Sequence, residues 1–233
     1  MTQEHESEHH RPVFDTWFRA SVFGFSDGLI TNISLILGFV GANPGHSVVR
    51  LVGLTGLVAG AFSMASGEYI SVRAQKELVD YEVSVERAAL KADPEGEQKE
   101  LRQIFIDRGI ERELADRLSA DLMRDPELAL ITHVREELGI DPSSGGKPLV
   151  AASSSFAAFA VGALVPLLPW LFTASGNTAN ISMACAVVGS MSAGAVVGWF
   201  TGKGITRWAF RQLFIAALAS GVTYFLGHVV GSN

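Results

Sequence analysis

Long apolar stretches, broken by short polar turns and by one long charged segment, set the organisation of this 233-residue chain. Five of them reach the roughly 20 mostly apolar residues that a helix needs to cross a bilayer: Trp17–Val40, Val48–Val72, Leu149–Phe172, Ile181–Phe200 and Trp208–Val230. The turn GANPGHS separates the first two, and TASGNTAN the third and fourth; both are rich in residues that punctuate helices. Trp17, Tyr69, Trp170, Trp199 and Trp208 stand near span ends, where a belt of interfacial aromatics is expected. Pro166 and Pro169 are expected to kink or end the third span. Gly56 and Gly60, and Gly194, Gly198 and Gly202, recur every four residues, a spacing that lets helix backbones approach closely.

Between spans two and three the pattern changes. The helix of span two meets no breaker after Gly67 and is predicted to run on to Ala92, where Asp93-Pro94 ends it. Further helices are predicted over Glu97–Arg108, stopping at Gly109; over Glu111–Met123, with Leu114, Leu118 and Leu122 on one face; and over Glu127–Leu138, opened by Asp125-Pro126 and stopped by Gly139. The class is therefore all-α: a multi-pass membrane protein with five transmembrane helices and a cytoplasmic helical domain. The expected divisions are a disordered tail over 1–16, two transmembrane helices in 17–72, the helical domain over 73–147 and three transmembrane helices in 148–231.

Charge sharpens this picture. Residues 73–147 hold 12 of the 18 Lys and Arg and 18 of the 24 Asp and Glu. Charged residues are only 18% of the whole chain, against about 25% in soluble domains. Both signs are interspersed in the charged segment, which argues against a nucleic-acid partner. Seventeen of the 18 basic residues fall on one side, shared by the N-terminus, the charged segment and the turn after span four; Arg50 alone lies opposite. The positive-inside rule places that side in the cytoplasm, and five spans then put the C-terminus outside. Cys185 is the single cysteine, so no intrachain disulfide forms. The start, MTQEHESEHHRP, lacks the apolar core of a signal peptide. It reads as a solvated tail, in which Glu4, His5, Glu6, Glu8, His9 and His10 could bind metal weakly.

Two carboxylates lie within the spans, Asp27 and Glu68. A charge at the centre of a membrane helix costs from about 2.5 kcal/mol upward, so such a residue usually marks an ion or proton pathway. Ser26, Thr31 and Asn32 add oxygen or amide groups near Asp27, and Met64 offers a thioether on span two. Oxygen ligands suit hard divalent cations, and a thioether favours a transition metal. Ordinary packing is the other reading of Met64, and a helix–helix hydrogen bond the other reading of Asp27. Glu68 either guards a cytoplasmic entrance or is solvated. In the charged segment Glu82 and Glu86 are four apart, Glu97 and Glu100 three apart, and His133 and Glu137 four apart, so each pair shares a helix face. Turned inward, these faces would form a carboxylate-rich site with one imidazole, as in helical bundles that bind iron; turned outward, they are solvated surface.

SDGL in span one, AGAFSMASGEYISV in span two, ALVPLLPWLF in span three and RQLFIAALASGVTYFLG in span five together resemble the vacuolar iron transporter family, in order, from about residue 15 to 230. The resemblance implies a homodimer in the lipid bilayer with its pathway between subunits, and a cytoplasmic domain that collects metal. Divalent iron, and manganese with it, would leave the cytosol in exchange for protons, with zinc or cobalt as further cargo and no resident cofactor. It matches Asp27 and Met64 to the family's intramembrane aspartate and methionine, and Glu86, Glu97, Glu100 and Glu137 to glutamate ligands of plant members. Ala89 replaces a second glutamate of those members, with Glu82 one turn away as a substitute, and His133 replaces a methionine. Neutral residues around Ala20 and Gly56 stand where plant members carry membrane carboxylates.

The expected function is thus an exporter rather than an enzyme. Metal would collect at Glu82, Glu86, Glu97, Glu100, His133 and Glu137, then pass Glu68 to Met64 and Asp27. A bacterial inner membrane is the expected location, a vacuolar membrane the alternative. The competing reading is a membrane-anchored iron-binding or ferroxidase-like protein without transport.

Overall fold

The computed structural model describes residues 16–43, 45–139, 141, 146–173 and 176–232, with side chains from Ala20 onward. The His- and Glu-rich tail, the side chains of Trp17 and Arg19, and linker residues 142–145 lie outside the described residues. Eight helices account for the described elements, with no strand among the described residues: α1 (Thr16–Gly41), α2 (His46–Ala92), α3 (Pro94–Asp107), α4 (Arg112–Leu122), α5 (Pro126–Glu136), α6 (Pro148–Phe172), α7 (Thr178–Thr201) and α8 (Ile205–Gly231). The chain divides into two compact units: one ends at Tyr69 and resumes at Leu149, and the other is Ile70–Pro148. Helix α2 is continuous across the first of these boundaries.

The first unit contains the apolar parts of the five helices that are long and apolar enough to cross a membrane, α2 contributing its length up to Tyr69. Apolar burial does not drive helices together within lipid, so close backbone approach and buried polar contacts must hold them. Both are present. A Cβ placed on Gly28 of α1 would fall on the Phe159 carbonyl of α6, and one on Gly162 of α6 would fall on the Phe25 carbonyl of α1. Gly194 and Gly198 of α7 lie in the same way against the backbone of α8 at Trp208 and Ile205. At the α1–α8 contact Thr223 Oγ1 donates to the Ser34 carbonyl at 2.7 Å, and the hydroxyls of Ser34 and Ser220 are 3.4 Å apart.

Helix α6 does not end at its prolines; it runs through Pro166 and Pro169 to Phe172. Each proline removes a backbone donor from the helix, at the Gly162 and Val165 carbonyls, and neighbouring helices donate to the carbonyls next in sequence. Asn32 Nδ2 of α1 donates to the Ala163 carbonyl at 2.7 Å, and Ser182 Oγ of α7 donates to the Pro166 carbonyl at 2.6 Å. Trp170 also departs from expectation. It is only 6% exposed, packed with Ile36, Val49 and Leu167. Its ring lies 5.0 Å from that of His46, whose Nε2 is 2.6 Å from the Thr173 carbonyl.

In the second unit, Asp93 caps α3 by accepting from the Gly96 backbone N–H at 2.9 Å, and Pro94 occupies the first turn. Helix α3 therefore begins three residues before the expected Glu97. Asp125 caps α5 through the Glu127 and Leu128 N–H groups, at 3.0 and 3.3 Å. Leu101, Phe105 and Ala115 form the core between α3 and α4, joined by Leu118 and Leu122. Gly109, at φ +90°, turns the chain between these two helices in a conformation that disfavours a side chain.

Gly28→Val is expected to cost the roughly 1–3 kcal/mol of stability typical of overpacking, read as a lower thermal midpoint in detergent, because its new atoms meet backbone and not a flexible side chain. Gly67→Ala on α2 is the control: nothing lies within 4 Å of its added Cβ. It should leave stability unchanged or raise it by up to about 1 kcal/mol.

Candidate metal centre

The capping of α3 and α5 fixes where the charged faces of the second unit point. His133 on α5 is completely buried, and Glu86 on α2 is 8% exposed. His133 Nδ1 lies 3.2 Å from Glu86 Oε1 and 3.7 Å from Glu97 Oε2 on α3. Glu86, His133 and Glu137 each present a ligand atom within 4.8 Å of the others. The exposed pair Arg87–Glu127, with Nη1–Oε1 at 2.5 Å and Nη2–Oε2 at 3.3 Å, joins α2 to α5. Exposed pairs add little stability, so its effect is to hold the two helices in register around His133. Arg108 and Glu136 similarly link the ends of α3 and α5, where Arg108 Nη2 donates to the Glu136 carbonyl at 2.9 Å.

The buried polar atoms converge without satisfying one another. Neither nitrogen of His133, nor Glu86 Oε1, has a hydrogen-bond partner, although all three are buried. A buried polar atom left unmatched costs about 1–3 kcal/mol, and three in one place suit a group that supplies a positive charge. The charges agree. Burial is the main cause that raises the Glu86 carboxyl to about 7, followed by the negative charges of Glu137, Glu97 and Glu100. Burial, then Glu100 and Asp93, raises Glu97. Burial, then Glu100, raises Glu137, against an opposing pull from His133. Burial lowers His133, against the upward pull of Glu137 and Glu100. A neutral imidazole among mutually repelling carboxylates is a donor set for a divalent cation. Two unit charges 4 Å apart repel by about 4 kcal/mol at an effective dielectric near 20, more than a hydrogen bond returns.

The other sequence candidates have different surroundings. Glu100 is exposed and acts on this cluster through its charge. Glu82 is partly buried, one turn before Glu86, and lies outside the set gathered within 4.8 Å. Glu68 is partly buried near the end of the first unit. Met64 packs against Ala61, Phe159 and Ala163, on the α6 side of α2. Asp27, partly buried, is 3.5 Å from the Thr31 hydroxyl and lines a cavity of about 420 Å3 between α1, α7 and α8. Ser26, Thr201 and Gln212 supply the other polar groups of that cavity. Gln212 was not among the sequence candidates; the signal available was an uncharged amide inside the apolar run of span five.

These features define a multi-span helical membrane protein with a helical unit built around a buried imidazole and a cluster of carboxylates, of which Glu86 is buried. The model of the VIT family matches residues 18–228, and the chain belongs to that family. It is 34% identical to a vacuolar iron transporter of Acanthamoeba castellanii over 229 residues, covering 95% of this chain and 82% of the relative. It is 30% identical to vacuolar iron transporter 1 of Arabidopsis thaliana, covering 97% and 91%. It is 32% identical to vacuolar iron transporter 2 of Oryza sativa subsp. japonica, covering 92% and 87%.

With Glu86 held near 7 against 4.5 when unperturbed, the folded, metal-free protein holds more protons than the unfolded chain across that window. Its stability is therefore expected to fall as pH rises from about 4.5 to about 7. Glu86→Gln should flatten this dependence in thermal melts and stabilise the metal-free protein above pH 7. The same substitution should weaken ferrous or manganous ion binding at least tenfold by titration calorimetry, and wild-type binding should release protons.

Proposed function

We propose that this protein carries divalent metal ions, ferrous iron foremost and manganese with it, out of the cytosol in exchange for protons. The observation that carries the reading is the Glu86–His133–Glu137 set, in which Glu86 and His133 are buried with unmatched polar atoms and Glu137 stands at the exposed side. Relatives named vacuolar iron transporters, matched over nearly the whole chain, support the cargo. In this reading the helical domain, residues 73–147, lies in the cytoplasm and gathers metal at Glu86, Glu97, His133 and Glu137, with Glu82 and Glu100 at its rim. The basic residues, concentrated on the side of the N-terminus, support that orientation.

The domain concentrates the ion, and the membrane unit exchanges it. Asp27 binds the cation as a carboxylate and releases it when protonated from the far side, so one oxygen pair serves both cargoes in turn. Met64 and Glu68 are the further membrane positions assigned to the route. The protein works as a homodimer, in a bacterial inner membrane or, in a eukaryotic cell, a vacuolar one.

Replacing the family's methionine by His133 exchanges a thioether for an imidazole, which keeps ferrous iron and adds affinity for zinc and nickel. The test is uptake of ferrous iron into vesicles holding the purified protein under an imposed pH gradient. Asp27→Ala is expected to lower uptake more than tenfold, and full uptake by that variant sinks the mechanism. In competition assays His133→Met should retain iron uptake, while inhibition by zinc weakens roughly tenfold.

A further inference from the structure

We infer that the outer face of α8 holds an anionic phospholipid, with its headgroup on Lys203, Arg207 and Arg211 and its chains along the helix. This goes beyond the transport reading and requires only that the five apolar helices stand in a bilayer. Lys203 occupies the turn between α7 and α8, between Gly202 at φ +67° and Gly204 at φ +89°. Arg207 and Arg211 follow at intervals of four, so the two arginines are neighbours on one helix face. All three side chains are exposed. Like charges at that spacing repel, and no carboxylate among the described residues pairs with any of the three. The chain carries no acidic residue after Asp141. Three cations without a counter-charge at one helix end attract an anion, and the planar fork of a guanidinium matches the oxygens of a phosphate. Arg211 lies over the Trp208 ring, 4.9 Å from its centre, and indoles favour the depth of lipid headgroups.

The same face continues as apolar surface. At 100° per residue, Phe214, Leu218, Val222 and Phe225 lie within about 60° of Arg207 around the helix axis, and they are 52% to 67% exposed. The residues of α8 that are buried, Ala209, Ala216 and Ser220, fall on the opposite face. Val222 lies about 17 Å along the axis from Arg211, close to the depth of one leaflet in a hydrocarbon core of roughly 30 Å. A single lipid therefore meets both parts at once, phosphate on the arginines and an acyl chain on the aromatic and aliphatic side chains. Glu4, Glu6 and Glu8 near the N-terminus complement the cations in charge, but their segment has no apolar run to cover the stripe.

The experiment uses the full-length protein in mixed micelles with brominated phosphatidylglycerol or brominated phosphatidylcholine, which quench tryptophan on contact. The exposed Trp199 and the partly exposed Trp208 report on this end of the helices. The ratio of the two association constants is read for wild type and for Arg207→Gln with Arg211→Gln. The controls are Arg207→Lys with Arg211→Lys, which keeps the charge, and Arg50→Gln at the other end of the spans. A basic residue near an anionic surface is worth roughly fivefold in affinity, so the glutamine pair is expected to lower the preference for phosphatidylglycerol at least fivefold. Both controls should stay near wild type. If the glutamine pair does not accumulate as folded protein, each single glutamine variant is measured, with a smaller loss expected in both. Equal affinity of wild type for the two lipids, or a preference that survives in the glutamine variants, overturns the site. A preference that arises only after residues 1–15 are removed assigns the cations to the acidic tail and also overturns it.

Discussion

Helices α1 and α6 press together until backbone meets backbone at Gly28 and Gly162, and the direction of Asp27 follows from that contact. Successive residues on a helix are set about 100° apart. With Gly28 committed to the Phe159 carbonyl, its neighbour Asp27 turns toward α7 and α8 and lines their cavity. A side chain at either glycine would separate the two helices and rotate the carboxylate out of place. The small residue is what allows an expensive group beside it to have a defined address.

The two charged centres of the protein meet the same physical problem differently. In the helical unit, carboxylates are crowded until burial and mutual repulsion raise them, so a dication relieves strain that is present before it arrives. In the membrane unit, a single carboxylate stands among hydroxyls and an amide within apolar walls. In the proposed transport, the first arrangement would serve capture from dilute solution, and the second release, because few ligands have to be given up at once.

Much of this was legible in the sequence, for identifiable reasons. The five apolar helices follow from length and hydropathy alone, and the break after Ala92 from Asp93-Pro94. The facing of His133 with Glu137 follows from their spacing of four. The convergence of Glu86 and Glu97 on His133 does not, since it depends on how three helices pack. Nor could the chain announce that α6 survives two prolines, because the groups that support it, Asn32 and Ser182, belong to other helices. Trp170 reads as an interfacial residue until the His46 ring and the Ile36–Leu167 core are seen around it. Asp27 and Met64, each a candidate membrane ligand by its chemistry, have different neighbours within the protomer: the α7–α8 cavity for one, the α6 core for the other.

The side-chain bonds that support α6 have a mechanical consequence. Asn32 holds one of its carbonyls from α1 and Ser182 another from α7. A helix that slid along either neighbour would strand the Asn32 amide and the Ser182 hydroxyl in hydrocarbon, where no water can replace the lost partner. The three helices are therefore geared together, and sliding between them is the costly coordinate. In the transport proposed above, alternating exposure of the Asp27 cavity would then be a rocking of this whole body or a bending at its ends, with turnover set by that stiff unit and not by the looseness of any single helix.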